Sequence, residues 1–269
     1  MQDLKQISKE IRKWTLEMIA NLGGGHVGGS LSIVDILTVL YFEKMNIDPQ
    51  NPKMEDRDRF VLSKGHAGPG LYATLARRGY FDRSWLDTLN GPHTLLPSHV
   101  DMTRTPGVDQ TAGSLGQGIS CAVGHAIAGK LKGKDYKVYC IVGDGELNEG
   151  SCWEAFMLAS TKKLDNLVVM IDANKWQIDG RTCDVINLDP LPDKFTAFGF
   201  EVFEADGHDI GAISQAIDKA NAVKDKPICI IFHTIKGKGF KPLEDQRAVH
   251  HTPVSAEDLA ASLEYIDTL

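Results

Sequence analysis

Two nearly continuous apolar runs dominate the hydrophobic pattern of this chain. The first covers residues 136–142 and the second covers residues 167–171. Neither shows the apolar-polar alternation of a half-exposed strand, so both are typical of strands in a parallel sheet that is covered on both faces. The segment between them, about residues 150–163, has the character of a helix. The pattern therefore predicts a β-α-β unit in the centre of the chain.

Further strands and helices are predicted on both sides of this unit. The strands are at residues 59–62, 200–204 and 228–232. Helices are expected at residues 4–21, 33–42, 71–78, from the turn at 113–118 to about 131, at 210–223 and at the end of the chain. Ser30 or Ser32 is expected to cap the helix that starts at Ile33. About five strands alternating with helices indicate an α/β fold, a doubly wound and mainly parallel sheet flanked by helices. No linker or repeat divides the chain, which predicts a single domain over residues 1–269.

The two central strands both end in polar residues. The first runs into Gly143-Asp144-Gly145, and the second ends shortly before Asn174. Parallel sheets bind ligands at the carboxyl ends of their strands, so Asp144 and Asn174 are expected to face one crevice. Carboxylate, amide and carbonyl oxygens suit Mg²⁺ or Ca²⁺, with coordination positions left for phosphates. The helix that follows presents N–H groups to an anion. The alternative is an ordinary acidic turn.

Several other turns follow strands or open helices. His26 follows three glycines, and His66 lies in Ser63-Lys64-Gly65-His66 after the strand at 59–62. Each histidine is interpreted either as a ligand-facing group or as a solvated loop residue. Lys236 and Lys238 follow the last strand, where they serve either solubility or diphosphate binding. The long segment 79–111 carries His93 and His99, and its length is typical of a functional or disordered loop.

Composition excludes several classes of partner. The formal charge of −7 argues against nucleic acid or an anionic membrane. The five cysteines include no Cys-x-x-Cys pair, which favours free thiols in a reducing cytoplasm over disulfides. The N-terminal residues lack the apolar core of a signal peptide, and no apolar run approaches the roughly 20 residues of a membrane span.

Several motifs together resemble the transketolase family of thiamine diphosphate enzymes. Gly143-Asp144-Gly145 followed by Asn174 resembles the thiamine diphosphate motif, and Gly-Asp-Gly-Glu-Leu-Asn-Glu-Gly and Asp-Ala-Asn-Lys-Trp-Gln-Ile-Asp-Gly resemble the transketolase branch. The segments at 25–32, 62–67 and 111–118 also match, with Val27 where proline is common. Pro97-Ser98-His99-Val100-Asp101 resembles the family's Gly-His-Pro-Asp with both neighbours of the histidine changed.

The resemblance implies a role for each motif. Asp144 and Asn174 would bind Mg²⁺ or Ca²⁺ through side chains, and Trp176 through its backbone carbonyl. The remaining implied roles concern thiamine diphosphate and the substrate. His66, Gly145 and His250 (rather than His251) would lie near the diphosphate and substrate channel, Gly113 and Leu115 at the aminopyrimidine, and Ile178 and Ile235 at the thiazolium. Glu149 would lie at a subunit contact beside the cofactor, and His26 and His99 would bind sugar hydroxyls or transfer protons.

The resemblance also implies a partner. The family's second, pyrimidine-binding domain, which supplies the activating glutamate, has no counterpart here, so the chain is expected to be the N-terminal subunit of a split transketolase. The expected assembly is an α2β2 heterotetramer with a C-terminal subunit, acting on sugar phosphates in the pentose phosphate pathway. The alternatives are the cofactor-binding part of a 1-deoxyxylulose-5-phosphate synthase or 2-oxoacid dehydrogenase, or a non-catalytic cofactor-binding module.

Overall fold

The computed structural model describes residues 3–269 of the chain. Its seven strands are β1 (Gly24–Gly25), β2 (Arg59–Leu62), β3 (Val138–Gly143), β4 (Leu167–Ala173), β5 (Glu201–Asp206), β6 (Ile228–His233) and β7 (Thr252–Pro253). Its α-helices are α1 (Leu4–Asn21), α2 (Val27–Leu31), α3 (Val34–Val39), α4 (Gly68–Arg78), α5 (Gln117–Leu131), α6 (Gly150–Thr161), α7 (Thr182–Val185), α8 (Leu191–Ala197), α9 (Ile210–Ala222) and α10 (Ala256–Asp267).

Five of the strands form one parallel sheet in the order β2-β3-β4-β6-β5. In the register, Gly143 lies opposite Asp172, and Ala173 lies opposite His233. The carboxyl ends of the three central strands therefore lie at the same level. The predicted doubly wound, mainly parallel sheet flanked by helices is confirmed, and all five predicted strands are present.

Alternating side chains of the central strands enter two separate cores. Tyr139 and Ile141 of β3 pack in a core that includes residues of α1, α3, α4 and α9. Val138, Cys140 and Val142 point the other way, into a core that includes residues of α5, α6 and α8. Both faces of the sheet are buried against helices, which is why the strands are continuous apolar runs without alternation.

The structure corrects the expected helix at residues 33–42. The chain forms two short helices, α2 and α3, followed by a π-helical turn over Leu40–Lys44. Neither predicted serine caps the second helix. Ser30 lies inside α2, where its hydroxyl donates to the His26 carbonyl (2.7 Å), and the hydroxyl of Ser32 donates to Asp172 Oδ2 (2.7 Å). The serines are buried polar side chains that satisfy other groups, which the local sequence does not reveal.

Several small elements escaped prediction. The two-stranded ladder of β1 with β7 and the short helices α7 and α8 carry too few residues for a periodic pattern. The segment 79–111 is mostly irregular, as expected, but contains a 3₁₀ helix, Arg83–Thr88. Within residues 3–269, no helix has the length and apolar character needed to cross a membrane. All five cysteines are free thiols.

Candidate active site

The predicted acidic turn and amide turn meet at the carboxyl edge of the sheet. The backbone N–H of Asp144, just after β3, donates to the Asp172 carbonyl of β4 (3.2 Å). The Asp144 carboxylate accepts from the N–H groups of Gly145 (2.8 Å) and Lys175 (2.6 Å). Asp144 is therefore joined to the loop that carries Asn174, and we call this junction at the sheet edge the crevice.

The Asp144 carboxylate is buried, and within residues 3–269 no cationic side chain bonds to it directly. Burial, and then the nearby Asp172 carboxylate, raise the pKa of Asp144 to about 7. Lys236 lies close by and is 2 % exposed, and its ammonium donates to the Trp176 carbonyl (3.2 Å). Burial lowers the pKa of Lys236 to about 8. Lys236 is thus an internal residue of the site, which excludes the solubility role, whereas Lys238 pairs with Glu244 (3.2 Å).

The Asn174 amide is held at both ends. Its Nδ2 donates to Asp172 Oδ2 (2.8 Å), and its Oδ1 accepts from the Trp176 N–H (3.1 Å). The Trp176 indole N–H donates to Asp245 Oδ1 (2.9 Å), which anchors the turn that presents the Trp176 carbonyl.

Asp172 is the centre of a fully buried polar cluster that sequence reasoning missed. Its Oδ2 accepts from Lys64 Nζ (2.6 Å), Ser32 and Asn174, while the Thr234 hydroxyl donates to Oδ1. The Lys64 ammonium beside it helps hold the pKa of Asp172 below its usual value, against the opposing effect of burial. We call Asp172, Lys64, Ser32 and Thr234 the Asp172 cluster. The sequence does offer one signal for this cluster: Asp172 and Lys64 both lie at the ends of buried apolar strands. Buried charges require partners, so such a carboxylate and lysine are candidates for pairing with each other.

A second missed carboxylate, Glu146, joins three turns. Its Oε1 accepts from the Ser63 hydroxyl (2.5 Å) and the Gly116 N–H (2.9 Å), and its Oε2 accepts from the Gly143 N–H (3.0 Å). The turn at 113–118 is thereby fixed against the ends of β2 and β3. Gly116 has φ +82° and no room for a Cβ, because Ser151 and Glu149 pack against it.

Five histidines from distant parts of the chain form one cluster. The ring centroid of His26 lies 5.4 Å from those of His66 and His99, 5.7 Å from that of His250 and 4.8 Å from that of His251. The rings of His66 and His250 are 5.1 Å apart. The structure therefore brings together all four histidines predicted as catalytic and adds His251. His93 is exposed.

The pKa values of four of the clustered histidines are lowered, which favours their neutral forms. Burial, and then the neighbouring His251 and His99, lower the pKa of His26 to about 4. Burial and the charge of Lys236 lower the pKa of His250 to about 3, and burial and Lys64 lower that of His66 well below its ordinary value. Burial also lowers the pKa of His99.

Three of the five histidines, His26, His250 and His251, open onto a cleft of about 660 Å³. Its walls are formed by His26, Ile178, Arg247, Ala248, His250 and His251. Among the residues that the structure describes, no carboxylate lines the cleft. Arg247 donates through Nε to the Ile178 carbonyl (3.0 Å), and within residues 3–269 its two terminal nitrogens make no hydrogen bond or ion pair. Arg247 carries a permanent positive charge on this cleft wall.

The family profile for the transketolase thiamine diphosphate binding domain matches residues 4–266. The chain belongs to this family. Over 255 residues it is 51% identical to the 6-deoxy-6-sulfo-D-fructose transketolase subunit SqwG of Clostridium sp. (strain MSTE9), covering 95% of this chain and 93% of that protein. It is 40% identical over 257 residues to an apulose-4-phosphate transketolase subunit of Phocaeicola vulgatus, covering 96% and 91%.

Solved transketolases share the fold. The transketolase from Leishmania mexicana superimposes with a TM-score of 0.94 at 33% identity, over 99% of this chain and 42% of that one. The transketolase from Campylobacter jejuni gives 0.93 at 34% identity, over 99% and 43%. The predicted family, thiamine diphosphate binding and transketolase-type function are confirmed, and the subunit names of the relatives imply a separate partner subunit.

The other residues predicted from the transketolase resemblance surround the site without all lining one cavity. Gly113 lies beside His99, Glu149 packs against Gly116, and Ile178 is 62% exposed on the cleft wall. Leu115 is half-buried in the turn at 113–118. Asp144 and Ile235 do not line the histidine cleft: Asp144 lines a separate cavity of about 210 Å³, and the Ile235 N–H donates to His208 Nε2 (2.8 Å). Gly145 packs against Gln177.

The residues present fit a metal-bound diphosphate cofactor. Asp144, Asn174 and the Trp176 carbonyl form a hard oxygen set. Two buried atoms at the same edge, Gln177 Oε1 and His250 Nδ1, have no hydrogen-bond partner among the described residues. Buried polar atoms are ordinarily satisfied, so these atoms mark a place where a ligand supplies partners.

Proposed function

We propose that this chain is the N-terminal, cofactor-binding subunit of a two-subunit transketolase, which transfers a two-carbon ketol unit from a ketose to an aldose. The observation that carries the proposal is the convergence of the histidine cluster with the Asp144–Asn174 crevice at one sheet edge. Relatives of nearly the same length that are named as subunits support the two-subunit form.

In this proposal Asp144 and Asn174 hold Mg²⁺ or Ca²⁺ with the Trp176 carbonyl. The buried Asp144 carboxylate supports this role, because burial disfavours its negative charge and a bound cation would neutralise that charge. Gly145, His66 and His250 adjoin the diphosphate, and Lys236 adds a buried positive charge there.

The remaining contacts with thiamine diphosphate are proposed from the motifs. Gly113 and Leu115 face the aminopyrimidine, Ile178 and Ile235 face the thiazolium, and Glu149 contacts the partner beside the cofactor. Glu149 is exposed, which supports a contact outside this chain. The whole of residues 1–269 is proposed to form a single cofactor-binding domain.

The chemistry of the chain's own residues is proton handling. When bound, thiamine diphosphate supplies an electron sink for breaking the bond next to the ketose carbonyl. His26, His66, His99 and His250 are neutral and close together, so each ring can accept a proton at one nitrogen and donate from the other. We assign them to orienting sugar hydroxyls and moving protons between substrate oxygens.

The substrates are proposed to carry a terminal anion. Arg247 supports this, since its terminal guanidinium nitrogens make no hydrogen bond within residues 3–269 and suit bidentate binding of phosphate or sulfonate. No acidic residue among those described lines the cleft beside it. A sugar phosphate is the first candidate, within the pentose phosphate pathway. The names of the two relatives add a sulfo-sugar and apulose 4-phosphate to the donors to be tested.

The proposed partner is a C-terminal, pyrimidine-binding transketolase subunit, in an α2β2 heterotetramer. The five free thiols support a reducing, cytoplasmic setting. The synthase, dehydrogenase and non-catalytic alternatives have no observation in their favour.

The deciding experiment measures ketol transfer from xylulose 5-phosphate to ribose 5-phosphate with thiamine diphosphate and Mg²⁺. The chain is assayed by itself and then with its candidate partner, and the assay is repeated with the other two donors. Activity only in the mixture, lost in Asp144→Ala, is the expected result. A normal rate from the chain by itself contradicts the two-subunit proposal. No ketol transfer with any donor, despite cofactor binding, contradicts the proposed transferase activity.

A further inference from the structure

We propose that Asp172 is a positioning residue that turns the amide oxygen of Asn174 into the metal site. The inference rests on the proposed metal role of Asn174 and deepens it. Asp172 has no exposed surface and lies two residues before Asn174, at the end of β4. It touches neither cofactor nor substrate in this proposal, and acts only through the amide.

The orientation of an asparagine amide is a choice between two ends. Asn174 presents Nδ2 to Asp172 Oδ2 at 2.8 Å. An ionised carboxylate only accepts hydrogen bonds, and the amide oxygen also only accepts. A flipped amide would therefore set two acceptors against each other in a buried place and leave Nδ2 in the metal site. Asp172 thus acts with the Trp176 N–H, which donates to Oδ1 (3.1 Å), to select the orientation in which Asn174 offers oxygen to a cation.

The Asp172 cluster keeps this acceptor fixed and charged. Lys64 Nζ donates to Asp172 Oδ2 (2.6 Å) and to the Gly29 carbonyl (2.7 Å), and its side chain is 2% exposed. Ser32 and Thr234 hold the carboxylate from two other turns. Together with the Asn174 amide, these donors come from four parts of the chain and leave the carboxylate little freedom to rotate. Residues behind metal ligands typically change metal affinity by about 10–100-fold when replaced.

The test is a double-mutant cycle on the full chain, with Ca²⁺ or Mg²⁺ plus thiamine diphosphate as the titrant in calorimetry. The pair Lys64→Met and Asp172→Val removes the buried charges together, which avoids an unpaired ion. In the Asn174 background this pair is expected to weaken metal-cofactor binding about 10–100-fold. In the Asn174→Asp background the ligand has two equivalent oxygens and needs no orientation, so the same pair should change binding by less than about 3-fold, or strengthen it.

A merely structural role gives a different outcome. General loosening of the fold would weaken binding equally in both backgrounds, and that result overturns the inference. Binding by the wild-type chain is the reference. If the wild-type chain binds neither alone nor with its partner subunit, the proposed function itself is contradicted. Wild-type binding with no difference between the backgrounds contradicts only the role of Asp172.

A measurement on the wild-type chain covers the case in which the paired variant does not fold. With ¹⁵N-labelled asparagine, the Asn174 side-chain amide is assigned by its loss in Asn174→Asp. Its proton bonded to Asp172 is expected to exchange with water at least about 100-fold more slowly than an exposed amide, because the bond is buried. Exchange as fast as that of an exposed asparagine overturns the inference.

Discussion

Two polar regions lie one strand apart at the same edge of the sheet, and they are built in opposite ways. In the Asp172 cluster, each charged or hydroxyl group has a partner inside the fold. Among the described residues, the buried carboxylate of Asp144 in the crevice accepts from two backbone N–H groups. Gln177 Oε1 beside it and His250 Nδ1 in the neighbouring histidine cleft have no partner there. The polar atoms named are buried in both regions, but satisfaction of their hydrogen bonds differs.

This difference separates groups that stabilise the fold from groups that serve a ligand. A saturated buried network fixes the positions of the turns that contribute to it. An unsaturated one costs free energy in the isolated chain, which a bound cation or anion offsets. Substitutions in the cluster should therefore change the free energy of unfolding, and metal binding only through the orientation of Asn174. Substitutions of crevice ligands such as Asp144 should change binding and activity with little effect on stability near neutral pH.

The largest effect is expected from Asp144→Ala. Loss of the carboxylate removes the proposed anionic metal ligand, so ketol transfer by the assembled enzyme should fall by about 10³-fold. The stability of the isolated chain should stay within about 1 kcal/mol of wild type, because an unneutralised buried carboxylate is removed as well. Steady-state kinetics and urea unfolding give the two numbers.

The matched control is Asp206→Ala, an exposed aspartate at the end of β5 on the same sheet edge. It should retain both activity and stability. Equal loss of activity in the two variants would mean that the effect reflects charge at the sheet edge instead of a ligand at Asp144.

The second effect concerns the cluster. Lys64→Met leaves Asp172 as an uncompensated buried carboxylate, so the free energy of unfolding should fall by about 3–5 kcal/mol. Adding Asp172→Val should restore much of that loss, because an apolar pair of similar volume replaces the ion pair. Urea unfolding of the three proteins measures this. If Lys64→Met by itself stays within about 1 kcal/mol of wild type, the contrast between the two regions is wrong.

The sequence reveals the crevice better than the cluster. Strand ends are visible as apolar runs that stop at glycine or polar residues, so Asp144, Asn174 and His66 can be placed at one sheet edge from the pattern alone. Periodicity also gives the five strands. The roles of Gly113, Ile178 and His250 depend on resemblance to a family, because single residues in irregular turns carry no period.

The cluster is hidden because its four members are far apart in the sequence and meet only in the fold. Ser32 has the local character of a helix cap, and Lys64 that of a turn residue, whereas both serve Asp172. Arg247 is similar, since its position on the cleft wall depends on the fold of the last loop. Local chemistry predicts where ligands gather, but the partners of buried charges are a tertiary property.

Arg247 extends the comparison between ligand-serving and fold-stabilising groups. Its charge faces the cleft, whereas the charge of Lys64 is neutralised by the buried Asp172. Arg247→Gln should raise KM for a phosphorylated or sulfonated ketose about 10–100-fold, the size of a lost charge-assisted hydrogen bond. The value of kcat should change by less than about 3-fold. A ketose donor that carries no phosphate or sulfonate should keep its KM. Steady-state kinetics with matched charged and uncharged donors measure this.

Lys241→Gln is the control, because Lys241 is exposed and does not line the cleft. It should leave all constants unchanged. If Arg247→Gln raises KM equally for charged and uncharged donors, Arg247 shapes the cleft and does not recognise an anion.

The smallest effect is the pH dependence that two histidines of the cleft wall, His26 and His250, give to stability. The pKa values of His26 and His250 are about 4 and 3 in the fold, against about 6.5 when unfolded. Between pH 6.5 and 4 the unfolded chain therefore binds more protons, so these residues lower stability as the pH falls through this window and have no effect above it. The slope is at most about 1.4 kcal/mol per pH unit for each histidine.

His250→Gln should therefore flatten the loss of stability on acidification. Asp144 has the opposite effect on stability, because its pKa is raised to about 7 in the fold and its protonation there stabilises the fold as the pH falls. The informative quantity is therefore the difference in the free energy of unfolding between variant and wild type, measured by urea unfolding at pH 7, 6 and 5. His93→Gln, at an exposed position, should leave the wild-type curve unchanged. Identical curves for His250→Gln and wild type would show that His250 is freely protonated in the fold. His250 would then not count as an unsatisfied buried group, and the contrast with the Asp172 cluster would rest on Asp144.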